Sequence, residues 1–113
     1  MTTGPDPSGS GAVVLSADDS GPLLRFSGDI DRETVRRFRR EVPPSSWPER
    51  VDLEAATTLE AAGLELLVHL ARKPRRRGAE LELLHLPDRL RPPLERAGLS
   101  WLLPDSDGRA SPA

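Results

Sequence analysis

The chain has 113 residues, a net charge of −2, no cysteine and two histidines far apart in sequence. One domain with one modest core is the expectation; disulfides and thiolate metal sites are excluded, and the histidines offer no paired zinc ligands, so no metal site is expected. The acidic balance argues against general nucleic-acid affinity, and no apolar run approaches the ~20 residues that cross a bilayer.

Residues 1–11 and 104–113 are rich in Gly, Pro, Ser and Asp and read as tails, leaving residues 12–103 for the fold. The first residues lack the basic stretch and apolar core of a secretory signal, and the absence of cysteine fits a cytoplasmic home. Ala12 to Leu15 and Pro22 to Ser27 predict two strands joined by a loop at Ala17 to Gly21. Gly28-Asp29-Ile30-Asp31 ends the second strand, and Asp31 predicts the N-cap of a helix whose inner face is Val35, Phe38 and Val42. Pro43-Pro44 stops that helix, and a loop containing Trp47 follows.

A strand from about Arg50 places Val51, Leu53 and Ala55 on one face, alternating with Asp52 and Glu54. After Thr57 and Thr58 the period changes from two to about 3.6, with Leu64, Leu67, Val68 and Ala71 on one helical face up to Lys73. Small residues at that strand-to-helix junction leave the first helical amides uncovered, a natural surface for an anion or a partner. Pro74 to Gly78 reads as a basic turn, and Ala79 to Leu86 as a strand with Leu81, Leu83 and His85 on one face, the histidine a hydrogen-bonded core residue. A last helix lies within Asp88 to Ala97, with Leu90, Leu94 and Ala97 inward and Gly98 as its stop; Pro92-Pro93 predicts a kink or a late start. Strands alternating with helices favour parallel pairing. The expected fold is α/β: a small mixed or parallel sheet of four to five strands with about three helices packed on it.

Catalysis has little to stand on. The sequence offers no Ser/His/Asp or Cys/His arrangement and no glycine-rich phosphate loop, and the chain reads as non-enzymatic with no cofactor. The basic runs Arg36 to Arg40 and Arg72 to Arg77 have no interleaved aromatics of the kind single-strand binders use. They read as solvated faces, or as a patch for an acidic partner.

Four segments in order resemble the STAS domains, the family of anti-sigma factor antagonists: Leu24 to Asp31, Val51 to Thr57, Gly78 to Leu81, and Leu94 to Leu99. At the junction that family carries an aspartate, a phosphorylatable serine or threonine, a small residue, glycine and leucine. This chain has Glu60, Ala61, Ala62, Gly63 and Leu64. The resemblance, which covers about residues 12–104, implies a protein-binding switch module. Its partner would be an anti-sigma factor that is also a serine/threonine kinase, and its binding residues Asp29, Asp31, Thr58, Glu60, Ala61, Ala62, Gly63 and Leu64. Phosphorylation breaks such docking because it adds about −1.5 to −2 charges to the contact. Ala61 stands where the hydroxyl would be, and alanine cannot be phosphorylated; Thr57 and Thr58 lie just upstream. Ala62 to Leu70 also resembles a second branch of the family, the STAS subunit of Mla-type lipid ABC transporters, which implies the transporter ATPase as partner. Neither branch implies nucleic-acid binding or insertion into a membrane.

Overall fold

The computed structural model describes residues 11–103; the two expected tails otherwise lie outside the described residues. Gly11, expected in the first tail, is buried, packed so closely against the Ser27 and Asp29 carbonyls that any side chain would collide. From it runs β1 (Ala12–Asp18), which turns tightly into β2 (Gly21–Ile30). Both strands outrun their expected ends, because antiparallel pairing continues from Ala12↔Ser27 to Asp18↔Gly21. The Arg50 guanidinium closes that hairpin with two hydrogen bonds to the Asp18 carboxylate, at 2.7 and 2.9 Å, and holds its pKa down at about 2.

α1 (Arg32–Glu41) crosses over to β3 (Arg50–Leu59), which lies parallel to β2. α2 (Ala61–Arg76) crosses to β4 (Glu82–Leu84), parallel to β3, giving a four-stranded sheet in the order β1-β2-β3-β4. The antiparallel first strand makes the sheet mixed, within the expected class. After a 3₁₀ turn at Asp88–Leu90 comes α3 (Arg91–Arg96), with Pro92 and Pro93 in its first turn, the late start those prolines predict. Gly98 ends it with a φ of +77° and donates its N–H to the Glu95 carbonyl at 3.0 Å. One core joins Val13, Leu24 and Phe26 of the hairpin, Phe38 of α1, Leu53 of β3, Leu67 of α2 and Leu94 of α3.

Several local expectations are corrected. The alternation on β3 breaks after Leu53: Ala55 is exposed and Ala56 is buried. The cause is register. Arg25 pairs Asp52 but Ser27 pairs Ala55, and Gly28 pairs Ala56 but Asp29 pairs Thr58, so β3 carries an extra residue twice. Each bulge resets which face a side chain takes. Leu53, Ala56 and Leu59 therefore all reach the core at a spacing of three.

α2 is turned relative to its expected face. Its buried positions are Gly63, Leu66, Leu67, Leu70, Ala71 and Pro74, while Leu64 and Val68 are half-buried along the flank. It also runs through Pro74 to Arg76, where a turn was expected. The one hydrogen bond that proline forgoes falls in the last turn, and its ring is buried there. β4 is three residues long, not eight. Beyond it the β3 carbonyl of Ala56 is satisfied by the Arg89 side chain at 2.6 Å, so further pairing is not needed at that point. Ala97 is exposed because α3 stops at Arg96. His85 is exposed, not a core residue, because its backbone turns left-handed at φ +54° directly after β4.

Candidate functional site at the start of the second helix

β2 and β3 run parallel and end side by side, so the helices that follow them start beside one another. At the first start, Asp31 is the N-cap its sequence predicts. Its Oδ1 accepts the Thr34 N–H at 2.9 Å and the Thr34 hydroxyl at 2.8 Å. Those two donors, the amide foremost, hold the Asp31 carboxyl below its ordinary value.

At the second start Glu60 occupies the cap position, and its side chain makes no capping hydrogen bond. Its N–H donates to the Ile30 carbonyl at 3.1 Å, which ties the end of β3 to the end of β2. The first helical bond runs from Leu64 N–H to the Glu60 carbonyl at 2.9 Å. The amides of Ala61, Ala62 and Gly63 precede that bond and have no partner within the helix. Side chains at this point are small for a physical reason. A Cβ built on Gly63 would lie 2.8 Å from the Ile30 carbonyl oxygen and 2.9 Å from Ile30 Cγ2, so only glycine lets α2 come this close to β2.

Three carboxylates converge here. Glu60 is raised from its ordinary pKa, first by hydrogen bonding to the Asp29 carboxylate, then by the charges of Asp29 and Asp31. The Thr58 hydroxyl donates to Asp29 Oδ1. The structure therefore brings Asp29, Asp31, Thr58 and Glu60 into one acidic rim. Ala61 is exposed beside it, Ala62 and Leu64 are half-buried, and Gly63 is buried beneath. Ala61, Leu64 and Val68 follow one helical edge at spacings of three and four. The rim can present acceptors and a shallow apolar step.

The two basic runs meet elsewhere. Arg39 from α1 and Arg72, Lys73 and Arg76 from α2 line a cleft of about 250 Å³ with Trp47 and His69. Trp47 is fixed by an indole N–H bond to the Val42 carbonyl at 3.0 Å and by stacking on Phe38 at 5.8 Å. His69 is pushed below its ordinary pKa by burial first, then by Arg72 and Arg39. Trp47 was read only as a loop residue; an aromatic between prolines, after a helix with Phe38 one turn from its end, was the available signal.

Fold and junction together define a small one-sheet α/β domain whose second helix begins uncapped beside two parallel strand ends. The family profile described as "Mlab, STAS domain" matches residues 13–104, and the chain belongs to the STAS domain family. Domains of this family are generally non-enzymatic. A crystal structure of an anti-sigma factor antagonist from Mycobacterium paratuberculosis is similar to this chain with a TM-score of 0.63 and 22% identity, over 92% of this chain and 87% of that one. The STAS domain of an antisigma-factor antagonist from Rhodobacter sphaeroides gives a TM-score of 0.49 at 17% identity, over 71% and 95%, a likeness too loose to carry weight. No curated protein matches the chain by sequence.

Proposed function

We propose that this chain is a regulatory protein-interaction module of the anti-sigma factor antagonist kind, without catalysis of its own. It docks on an anti-sigma factor of the serine/threonine kinase type through the start of α2 and the Asp29–Asp31 turn. The observation that carries this reading is Ala61: a methyl side chain, exposed, on an uncapped helix start, with the half-buried Ala62 and Leu64 beside it. An exposed edge of small apolar groups inside an acidic rim suits a protein contact, with the rim setting register and partner choice. Because Ala61 has no hydroxyl, a kinase cannot switch docking off at that position, and the module stays in its binding form. It acts in the cytoplasm, in transcriptional partner switching, and engages neither nucleic acid nor the bilayer.

The decisive experiment measures binding of the full chain to the purified anti-sigma factor of the same cell by calorimetry. Ala62→Arg and Leu64→Arg are expected to abolish binding while the Tm stays within a few degrees. Ala61→Asp is expected to weaken it about fivefold or more, on the order of 1 kcal/mol for an unpaired charge in an interface. Unchanged binding in all three variants moves the contact elsewhere and refutes the assignment.

A second reading has its own support. The matching profile is described as Mlab, and the run Ala62 to Leu70 resembles the transporter branch. In that reading the same helix start docks on the ATPase of an Mla-type lipid ABC transporter. Capture from the native cell, with the retained protein identified by mass spectrometry, separates the two: recovery of an ATPase and no kinase-type anti-sigma factor replaces the first reading by the second.

A further inference from the structure

Asp52 is the only charged residue buried among the described residues, with 8% of its side chain exposed. It lies on β3 between the core residues Val51 and Leu53, so it faces the opposite side of the sheet. Its Oδ1 accepts the Glu54 N–H at 2.9 Å. Its Oδ2 accepts no hydrogen bond among the described residues and faces His85 Nδ1 at 3.4 Å. Arg25, its register neighbour on β2, is exposed and makes no ion pair with it. A buried carboxylate calls for a cation or a full set of donors. Asp52 has neither.

The groups gathered around that oxygen are ligand types. One ligand atom from each of Asp52, Glu54 and His85 lies within 4.8 Å of the other two. The left-handed backbone at His85 brings its imidazole to Asp52, where a continued strand would send it to the core side. Glu54 and His85 are both exposed, so a side-chain rotation of either closes the remaining gap to the ~2.0–2.2 Å bond lengths of a transition-metal ion.

We propose that Asp52, Glu54 and His85 form a binding site for a borderline divalent cation of the Zn²⁺ class, clamping β4 to β3. One imidazole and two carboxylates form a mixed N/O set that suits Zn²⁺, with water completing the coordination. Ca²⁺ and Mg²⁺ prefer all-oxygen shells and gain little from the imidazole. The bound ion neutralises the buried Asp52 charge and ties down a strand of only three residues. The site lies on β3 six residues before Thr58, roughly 20 Å along the strand at ~3.3 Å per residue, so it is separate from the helix-start rim.

The test uses the tag-free full chain. Titration with ZnCl₂ by calorimetry is expected to show saturable one-to-one binding, with a Tm raised by a few degrees at saturation. His85→Asn removes the imidazole while keeping a residue type that tolerates positive φ; it is expected to abolish binding and the Tm shift. Glu54→Gln is expected to weaken binding about tenfold, and His69→Gln to leave it unchanged. CaCl₂ is expected not to saturate the site. Absence of saturable Zn²⁺ binding overturns the proposal, and so does binding that survives in His85→Asn or disappears in His69→Gln.

Discussion

Two helices leave the same end of the sheet, and they start in opposite ways. α1 begins with an aspartate whose oxygen takes both donors of Thr34. α2 begins with a glutamate that caps nothing and stands against two other carboxylates. The first start is closed by its own side chains, and Asp31 Oδ1 is committed to that cap. The second trades local stability for exposure: the Ala61 methyl and the Glu60 side chain are left exposed. Where one helix start is finished and its neighbour is left open, the open one is the contact surface of the proposed function.

The largest effect expected from breaking this contrast lies beneath the open start. Gly63→Val forces a side chain against the Ile30 carbonyl and is expected to destabilise the protein by about 2–3 kcal/mol, or to prevent folding, in urea unfolding. Asp31→Ala opens the closed start and is expected to cost about 1 kcal/mol at neutral pH. That cost should shrink in acid, because a carboxyl with a lowered pKa stabilises above the ordinary carboxylate range and loses this as pH falls through its lowered value.

Glu60 works in the reverse direction and by less. Its raised pKa means that the folded state holds the Glu60 proton more tightly than the unfolded chain does. Full relative stability is then present below the ordinary glutamate value and is lost as pH rises through the raised one. Glu60→Gln is therefore expected to raise the Tm slightly at pH 7 and to converge with the unsubstituted protein near about pH 3 in scanning calorimetry. A Glu60→Gln that lowers the Tm at pH 7 would show that the carboxylate helps its helix start after all, and the contrast with Asp31 would fail. Smallest of all, Thr58→Val removes the hydroxyl that bonds Asp29 on an exposed site, and its Tm is expected to fall by no more than a degree or two.

The Asp31 cap and the glycine end of α3 could be read directly, because capping and left-handed stops depend on the residue itself and its nearest neighbours in sequence. The rim was legible as a set of residues through its likeness to a family, but the physical part each plays was not. Nothing in the sequence shows that Thr58 bonds Asp29 or that Glu60 is crowded by Asp29, since these pairs come together only when β2 and β3 lie in register.

Order and kind of element and the place of each helix start were written in the chain, because each follows from short-range period and capping; the need for glycine at position 63 comes from its approach to Ile30. Tertiary structure alone decided which face each residue takes. Two bulges on β3 exchanged Ala55 for Ala56 in the core. Docking on Ile30 turned α2 so that Leu66 and Leu70 went inside and Leu64 to the flank. A single left-handed residue carried His85 out to Asp52. Each of these is settled by packing between segments distant in sequence, where a shift of one residue reverses inside and outside.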